Sequence, residues 1–271
     1  MTPEQVVGAA LAEDLGERGD ITSALLIPAD RRTTARVVSR RPGVLAGREV
    51  ADEVLRQTGL AGDWRADDGD RLAPGTVVVE IEGPARAVLT AERTLLNLLC
   101  HLSGVATLTA EYVAACGTVA VLDTRKTTPG LRALGKAAVR AGGGVNHRMG
   151  LFDRVLVKDN HLALAGAGLL DAVARARREM PDVLVEVEAD DLEGVQLGLD
   201  AGADWILLDN MTLDEMRASV ELTAGRARLE ASGGMTLEGA RAAATTGVDA
   251  VSVGALTHSA PALDLGLDID A

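Results

Sequence analysis

The stretch VLVEVEADDLEGVQLGLDAGADWILLD, residues 183–209, decides the fold class. Val183–Glu188 and Trp205–Leu208 are short runs rich in apolar residues, fit for strands buried on both faces. LEGVQLGLDAG between them carries helical spacing. Strand, helix and strand in so short a span make a βαβ unit. The same rhythm extends outward, with strands predicted at Thr118–Leu122 and Arg154–Val157 before it and at Ala227–Ala231 and Ala250–Val253 after it. Six strands of this kind imply a parallel sheet with helices packed outside. They fall short of an eight-stranded barrel, which takes about 250 residues. A barrel with fewer strands and an open doubly wound sheet both fit the length.

Upstream the texture changes. Residues 20–85 carry β-rich runs at Thr33–Ser39, Gly43–Ala46 and Thr76–Glu82, and DDGDRLAPGTVVVEIEG reads as a turn followed by an alternating strand. A small α+β unit is expected there. Residues 86–115 read as a helix with Thr90 as N-cap, an apolar face of Leu95, Leu96, Leu98, Leu99 and Leu102, and a break or kink at Gly104. The expected division is residues 1–103, an N-terminal unit with its linking helix, and 104–271, an α/β unit whose C-terminal tail can pack back on the first.

The chain has 271 residues, with 27 Lys+Arg against 40 Asp+Glu and a net charge of −13. That balance argues against a nucleic-acid or anionic-membrane surface, and one Phe, one Tyr and two Trp are too few for base stacking. Cys100 and Cys116 lie in apolar, helix-like sequence and read as buried thiols rather than a disulfide framework. No basic leader precedes an apolar run, and Thr94–Ala110 is interrupted by Asn97, His101, Ser103 and Gly104, too polar for a membrane span. A soluble, cytoplasmic protein is expected.

What ends each strand points to chemistry. In order these residues are Asp123-Thr124-Arg125-Lys126, Lys158-Asp159-Asn160, Glu188, Asp209-Asn210, Ser232-Gly233-Gly234 and Gly254. In parallel α/β folds the C-terminal strand edge is where ligands bind. Residues 121–160 carry eight Lys+Arg and three acids, a net +5 in a protein whose remainder is −18. All three lysines, Lys126, Lys136 and Lys158, fall in this segment. Lys126 and Lys158 stand at strand ends, whereas Arg132, Lys136 and Arg140, spaced four apart, read as a solvated helix face. His147 and Arg148 follow the turn Gly142-Gly143-Gly144, and Arg125 with Arg148 can fork onto carboxylates or phosphates. Glu188 and Asp209 suit Mg²⁺, ribose hydroxyls or the neighbouring lysines, and Glu186 shares a strand face with Glu188. The two glycine turns, ASGGMTLEGARAA and SVGALTHSAP, expose backbone N–H groups to phosphate at helix starts. No His/Cys cluster has zinc-ligand spacing, and Ser232 lacks a nucleophile elbow. These features describe transfer from a phosphorylated donor to a carboxylated acceptor through positioning and electrostatics.

TAERTLLNLLCHLSGVAT, DTRKTTPGLR, GGGVNHRMGLFDRVLVKDNH, VEVE, ILLDNM, EASGG and SVGALTHS resemble quinolinate phosphoribosyltransferase, and the likeness extends to the early EDLGERGDIT. Gly135 and Ala137 depart from the family pattern. The resemblance implies an N-terminal α+β sandwich followed by an incomplete, TIM-like α/β barrel. It also implies formation of nicotinate mononucleotide, CO₂ and pyrophosphate from quinolinate and phosphoribosyl pyrophosphate with Mg²⁺, in NAD biosynthesis. It implies a homodimer in which Arg93 is shared across the interface. Arg93, Thr124, Arg125, His147, Arg148 and Lys158 would bind quinolinate. Lys126, Ser232, Gly233, Gly234, Val253, Gly254 and Ala255 would bind the donor and its phosphates. Lys126, Lys158, Glu188 and Asp209 would serve catalysis, with Glu188 and Asp209 also holding the metal. The alternatives are a non-decarboxylating relative of the molybdenum-operon type, a Schiff-base lyase using Lys158, and a non-catalytic anion-binding protein.

Overall fold

The computed structural model describes residues 1–166 and 168–269. In chain order the elements begin α1 (Pro3–Leu15), α2 (Ile21–Leu26), β1 (Arg32–Ser39), β2 (Gly43–Val44), α3 (Arg48–Gln57), β3 (Gly62–Trp64), β4 (Arg71–Leu72), β5 (Val77–Pro84) and α4 (Ala85–Cys116). They continue β6 (Ala120–Leu122), α5 (Arg132–Ala141), β7 (Val155–Val157), α6 (Asp159–Ala165), α7 (Leu169–Glu179), β8 (Val185–Ala189), α8 (Leu192–Asp200) and β9 (Trp205–Asp209). The last are α9 (Leu213–Thr223), β10 (Arg228–Ser232), α10 (Leu237–Ala243), β11 (Ala250–Ser252), α11 (Ala255–His258) and β12 (Leu265–Ile269). The chain forms two compact units, one of residues 1–110, 127–143 and from 256 onward, the other of 111–126 and 144–255.

The first unit is an α+β sandwich. Its antiparallel sheet has the order β12-β1-β5-β3. Val37 of β1 stands opposite Val79 of β5 and Leu267 of β12. Helix α3 turns Val50, Ala51, Val54 and Leu55 inward, and α1 buries Val6, Val7 and Leu11. The short β3 and β4 and the C-terminal β12 were not expected: two- and three-residue strands are too brief to show an alternation, and β12 is fixed by its partner β1.

Helix α4 passes, by length and composition alone, as a membrane span. It instead buries Leu95, Leu99, Leu102 and Ala106, residues three to four apart, in the core. Ser103 Oγ accepts from Ala46 N and Thr107 Oγ1 from Val44 N at 3.1 and 2.9 Å. Three expectations are corrected here. Thr90 is not an N-cap, because α4 starts at Ala85 and Thr90 donates to Asp20 Oδ2 from inside the helix. Gly104 does not end α4, which runs unbroken from Ala85 to Cys116. Its glycine serves close approach: a Cβ there would lie 2.1 Å from the Pro261 carbonyl oxygen. Finally, Lys136 is not on a solvated face but fully buried, beside Leu134, Ala138 and Val139 on α5. Four-residue spacing puts three cations on one stripe without saying which stripe packs inward.

The second unit is a six-stranded, all-parallel sheet in the order β6-β11-β10-β9-β8-β7. That is the chain order of a barrel wound once and opened between β6 and β7, without the reversal of a doubly wound sheet. The incomplete barrel is therefore the correct alternative. Its strand interiors are buried on both faces, as parallel packing requires. Side-chain caps start the following helices at once: Asp191 accepts from Gly194 N, Thr212 from Glu215 N and Thr236 from Gly239 N. Short, capped turns keep the C-terminal strand ends together at one edge.

Candidate active site

At that edge a cavity of about 600 Å³ opens within the second unit. Its lining includes Thr124, Arg125 and Lys126 after β6, His147 and Arg148, Lys158 after β7, and Glu188 on β8. Asp209 and Asn210 after β9, the Ser232–Gly234 turn after β10 and Ser252 on β11 complete the polar wall, while Leu156 and Leu207 supply apolar surface. Five of the six strand ends singled out from sequence thus meet in one place.

The His147–Arg148 segment is held by β6. Asp123, fully buried, accepts from His147 N at 2.9 Å and from Asn146 Nδ2 at 2.5 Å. Burial and the nearby Arg125 guanidinium press the pKa of Arg148 down from its ordinary value. Two guanidiniums lining one cavity make a strong anion site. Arg125 Nε is buried without a hydrogen-bond partner among the described residues.

Lys158 is ion-paired with Glu188. Asp209 accepts from the Asn210 side-chain amide at 3.0 Å. Asn210 itself has φ +55°, a conformation asparagine tolerates. It crowds the glycine turn: a Cβ on Gly233, at φ +108°, would fall 2.2 Å from Asn210 Oδ1. Only glycine fits there, which leaves backbone rather than side chain facing the cavity. Lys126 N donates to Thr124 Oγ1 at 3.0 Å.

Four predicted positions are not among the lining residues, Arg93 being the one expected at a partner's site. Val253, Gly254 and Ala255 are not among the lining residues, and the Val253 amide is spent on Leu122 O at 2.9 Å. Arg93 is an exposed residue of α4, 3.9 Å from Glu92, and does not line this cavity.

Sequence reasoning passed over a buried cluster beneath the cavity. Glu186 on β8 and Glu230 on β10 are 0% and 1% exposed. His147 Nε2 lies 3.0 Å from Glu186 Oε2 and 3.3 Å from Glu230 Oε2, and Arg154 Nη1 donates to Glu186 Oε2 at 3.2 Å. Arg148 N donates to His147 Nδ1 at 2.7 Å, so the ring proton sits on Nε2. Burial opposes charge on this ring, but the two carboxylates outweigh it and carry its pKa up to about 9. The Arg148 amide, which needs the Nδ1 lone pair, works against that second proton, and we take the neutral Nε2–H ring as the resting form. His147, Glu186 and Glu230 also meet the spacing of a metal site. A ring whose Nε2 carries hydrogen and whose Nδ1 accepts an amide has no lone pair to offer a metal. Burial and hydrogen bonds settle the two acids in opposite directions. Burial raises Glu186, but His147 and Arg154 bring it below the ordinary range, whereas burial dominates for Glu230 and holds it above. The signal for this cluster was present in sequence: a Glu inside a strand of a parallel sheet is buried on either face.

The description "Quinolinate phosphoribosyl transferase, C-terminal domain" matches residues 105–268, and the N-terminal domain of that name matches 20–103. The chain belongs to the quinolinate phosphoribosyltransferase family. This member is 48% identical to the nicotinate-nucleotide pyrophosphorylase [carboxylating] of Mycobacterium leprae, over 96% of the chain and 94% of that protein. It is 42% identical to a probable enzyme of the same name from Bacillus subtilis, over 95% and 90%. Its structure is similar to the nicotinate-nucleotide pyrophosphorylase of Francisella tularensis, with a TM-score of 0.93 and 38% identity over 99% and 96% of the two chains.

Proposed function

We infer that this chain transfers a phosphoribosyl group from phosphoribosyl pyrophosphate to quinolinate with loss of CO₂, giving nicotinate mononucleotide and pyrophosphate in NAD biosynthesis. The observation that carries the site assignment is the Arg125–Arg148 pair, with a buried, unpartnered Arg125 Nε in a cavity of substrate size. Quinolinate is a dianion, and two guanidinium forks are the donors that read two carboxylates.

In this reading Arg125 and Arg148 bind the acceptor's carboxylates, with Thr124 and Lys158 beside them. His147 shapes the wall, its two ring nitrogens being engaged by protein. The Ser232–Gly234 backbone receives the donor phosphate, and Lys126 faces the pyrophosphate. Held in line, the ring nitrogen attacks the ribosyl carbon as its bond to pyrophosphate loosens. The carboxylates of Glu188 and Asp209 favour the positive charge that develops on the ribose. Once ribosylated, the cationic ring withdraws the electron pair of the adjacent C–CO₂⁻ bond.

Glu188 and Asp209 offer hard carboxylate oxygens at adjacent strand ends, a donor set that fits Mg²⁺ together with substrate phosphates. These two residues would hold the ion, which supplies charge neutralisation at the leaving pyrophosphate. A homodimer placing Arg93 of one protomer at its partner's site, and a cytoplasmic location, complete the proposal.

The test follows CO₂ and nicotinate mononucleotide from purified protein with quinolinate, phosphoribosyl pyrophosphate and Mg²⁺, with nicotinate as the comparison acceptor. Product from quinolinate alone is expected. Product from nicotinate without CO₂, or no product, would overturn the assignment.

A further inference from the structure

Loss of CO₂ from the ribosylated ring leaves an electron pair on the ring carbon beside nitrogen, and the product carries hydrogen there. The reaction therefore needs a proton at that carbon, from water or from a side chain that lines the cavity. The lining arginines are too weakly acidic. Lys158 is engaged with Glu188, and both His147 nitrogens face protein. Asp209 stands at the strand-end rim. Glu230 stands apart from these. It lies two residues deeper on β10 than Ser232, on the same strand face and so about 7 Å below the glycine turn. It lines the cavity while only 1% exposed. Its Oε2 lies 3.3 Å from His147 Nε2, which stands nearer, at 3.0 Å, to Glu186 Oε2.

We propose that Glu230 is the acid that protonates the ring carbon from which CO₂ departs. The idea rests on the decarboxylating transfer described above. The C–C bond to the departing carboxylate breaks, its electron pair stays on the ring carbon, and CO₂ leaves. The O–H bond of the Glu230 carboxyl then breaks, and its proton forms the new C–H bond. Glu230 is left as carboxylate and regains a proton from water before the next turnover.

The surroundings favour a protonated carboxyl at rest. Glu186 faces Glu230 from β8, already committed as an anion to Arg154 and to the His147 Nε2–H. A second carboxylate in this pocket would be an anion beside an anion, sharing with Glu186 a His147 ring that lies nearer to Glu186, 3.0 against 3.3 Å. The Ser252 hydroxyl from β11 and the His147 ring act in the opposite direction, favouring the anion, and Asp209 on β9 opens to the same cavity. Burial, with Glu186 adding to it, raises the carboxyl above the ordinary range. A carboxylic acid kept neutral at working pH is a competent donor.

Glu230→Gln keeps size and polarity and removes the transferable proton. With wild type shown first to release CO₂ from quinolinate, kcat should fall by about 100-fold or more while KM for quinolinate changes by less than about threefold. Wild-type kcat should decline as pH rises through the Glu230 ionisation, and that high-pH limb should be absent from the residual activity of Glu230→Gln, whereas a limb belonging to His147 would persist. Glu230→Asp, which retracts the carboxyl, should be slower yet retain the limb. A folded Glu230→Gln protein with wild-type kcat overturns the assignment. So does a slow Glu230→Gln protein with an unchanged alkaline limb, or a Glu230→Asp protein without one. Absence of CO₂ release by wild type would instead count against the reaction itself.

Discussion

Arg148 combines a fork-shaped donor with a neighbour of like charge, and both properties bear on how it would read an anion. Lysine would keep the charge and lose the planar fork. Arg148→Lys should lower kcat/KM for quinolinate by about 100-fold, roughly 2.7 kcal/mol of transition-state stabilisation. Steady-state assays with quinolinate varied at saturating donor would measure it, and a change under about threefold would remove Arg148 from the acceptor site. At this scale the cavity was legible where residues close a parallel strand, because every such strand ends at the same edge. Lys126, Lys158, Glu188, Asp209 and Ser232 were found that way. Glu230 and Glu186 were not weighed as a pair, since residues on strands distant in sequence meet only once the sheet order is known. Lys136 was misplaced for a related reason: the partner of its helix face is not written in the helix.

Among the elements, α4 and the βα turns carry the sharpest consequences. Gly104→Ala should normally add helix propensity of up to about 1 kcal/mol. Here the methyl meets Pro261 backbone, which cannot rotate away as a side chain can. Overpacking should win, and the variant should lose about 2 kcal/mol or more in a urea titration. Asp204 makes a different prediction. Its carboxylate accepts from Arg177 at 2.8 Å and from Val185 N at 2.7 Å, fastening the start of β8 to the turn before β9. Burial opposes its charge, but these bonds outweigh burial and hold its pKa below the ordinary 3.8. A depressed carboxylate stabilises the fold above its unfolded pKa and loses that contribution as pH falls through the folded value. Asp204→Asn should therefore be about 1–2 kcal/mol less stable than wild type near pH 7, with the gap closing below about pH 3.8. Parallel denaturation curves at the two pH values would show it. The six barrel strands were readable because a strand buried on both faces needs continuous apolar sequence. β3, β4 and β12 were not, because each is short and owes its conformation to a partner.

At the scale of the molecule, one sheet joins the two ends of the chain. β12, residues 265–269, covers the free edge of β1, residues 32–39. Removing everything after Leu263 would turn β1 into an exposed edge strand carrying the buried side chains Val37 and Val38. The truncated protein should form soluble oligomers or aggregates where the full chain runs as a defined species, as size-exclusion chromatography with light scattering would reveal. A truncated protein of unchanged size and Tm would show that β12 contributes little. The pairing of β1 with β12 also has a consequence for biosynthesis. A ribosome delivers β1, β5 and the whole opened barrel before it delivers β12. The first sheet therefore waits, one partner short, until β12 has been made. During that interval the edge of β1 is open to pairing with another chain, and β12 is the strand that closes it.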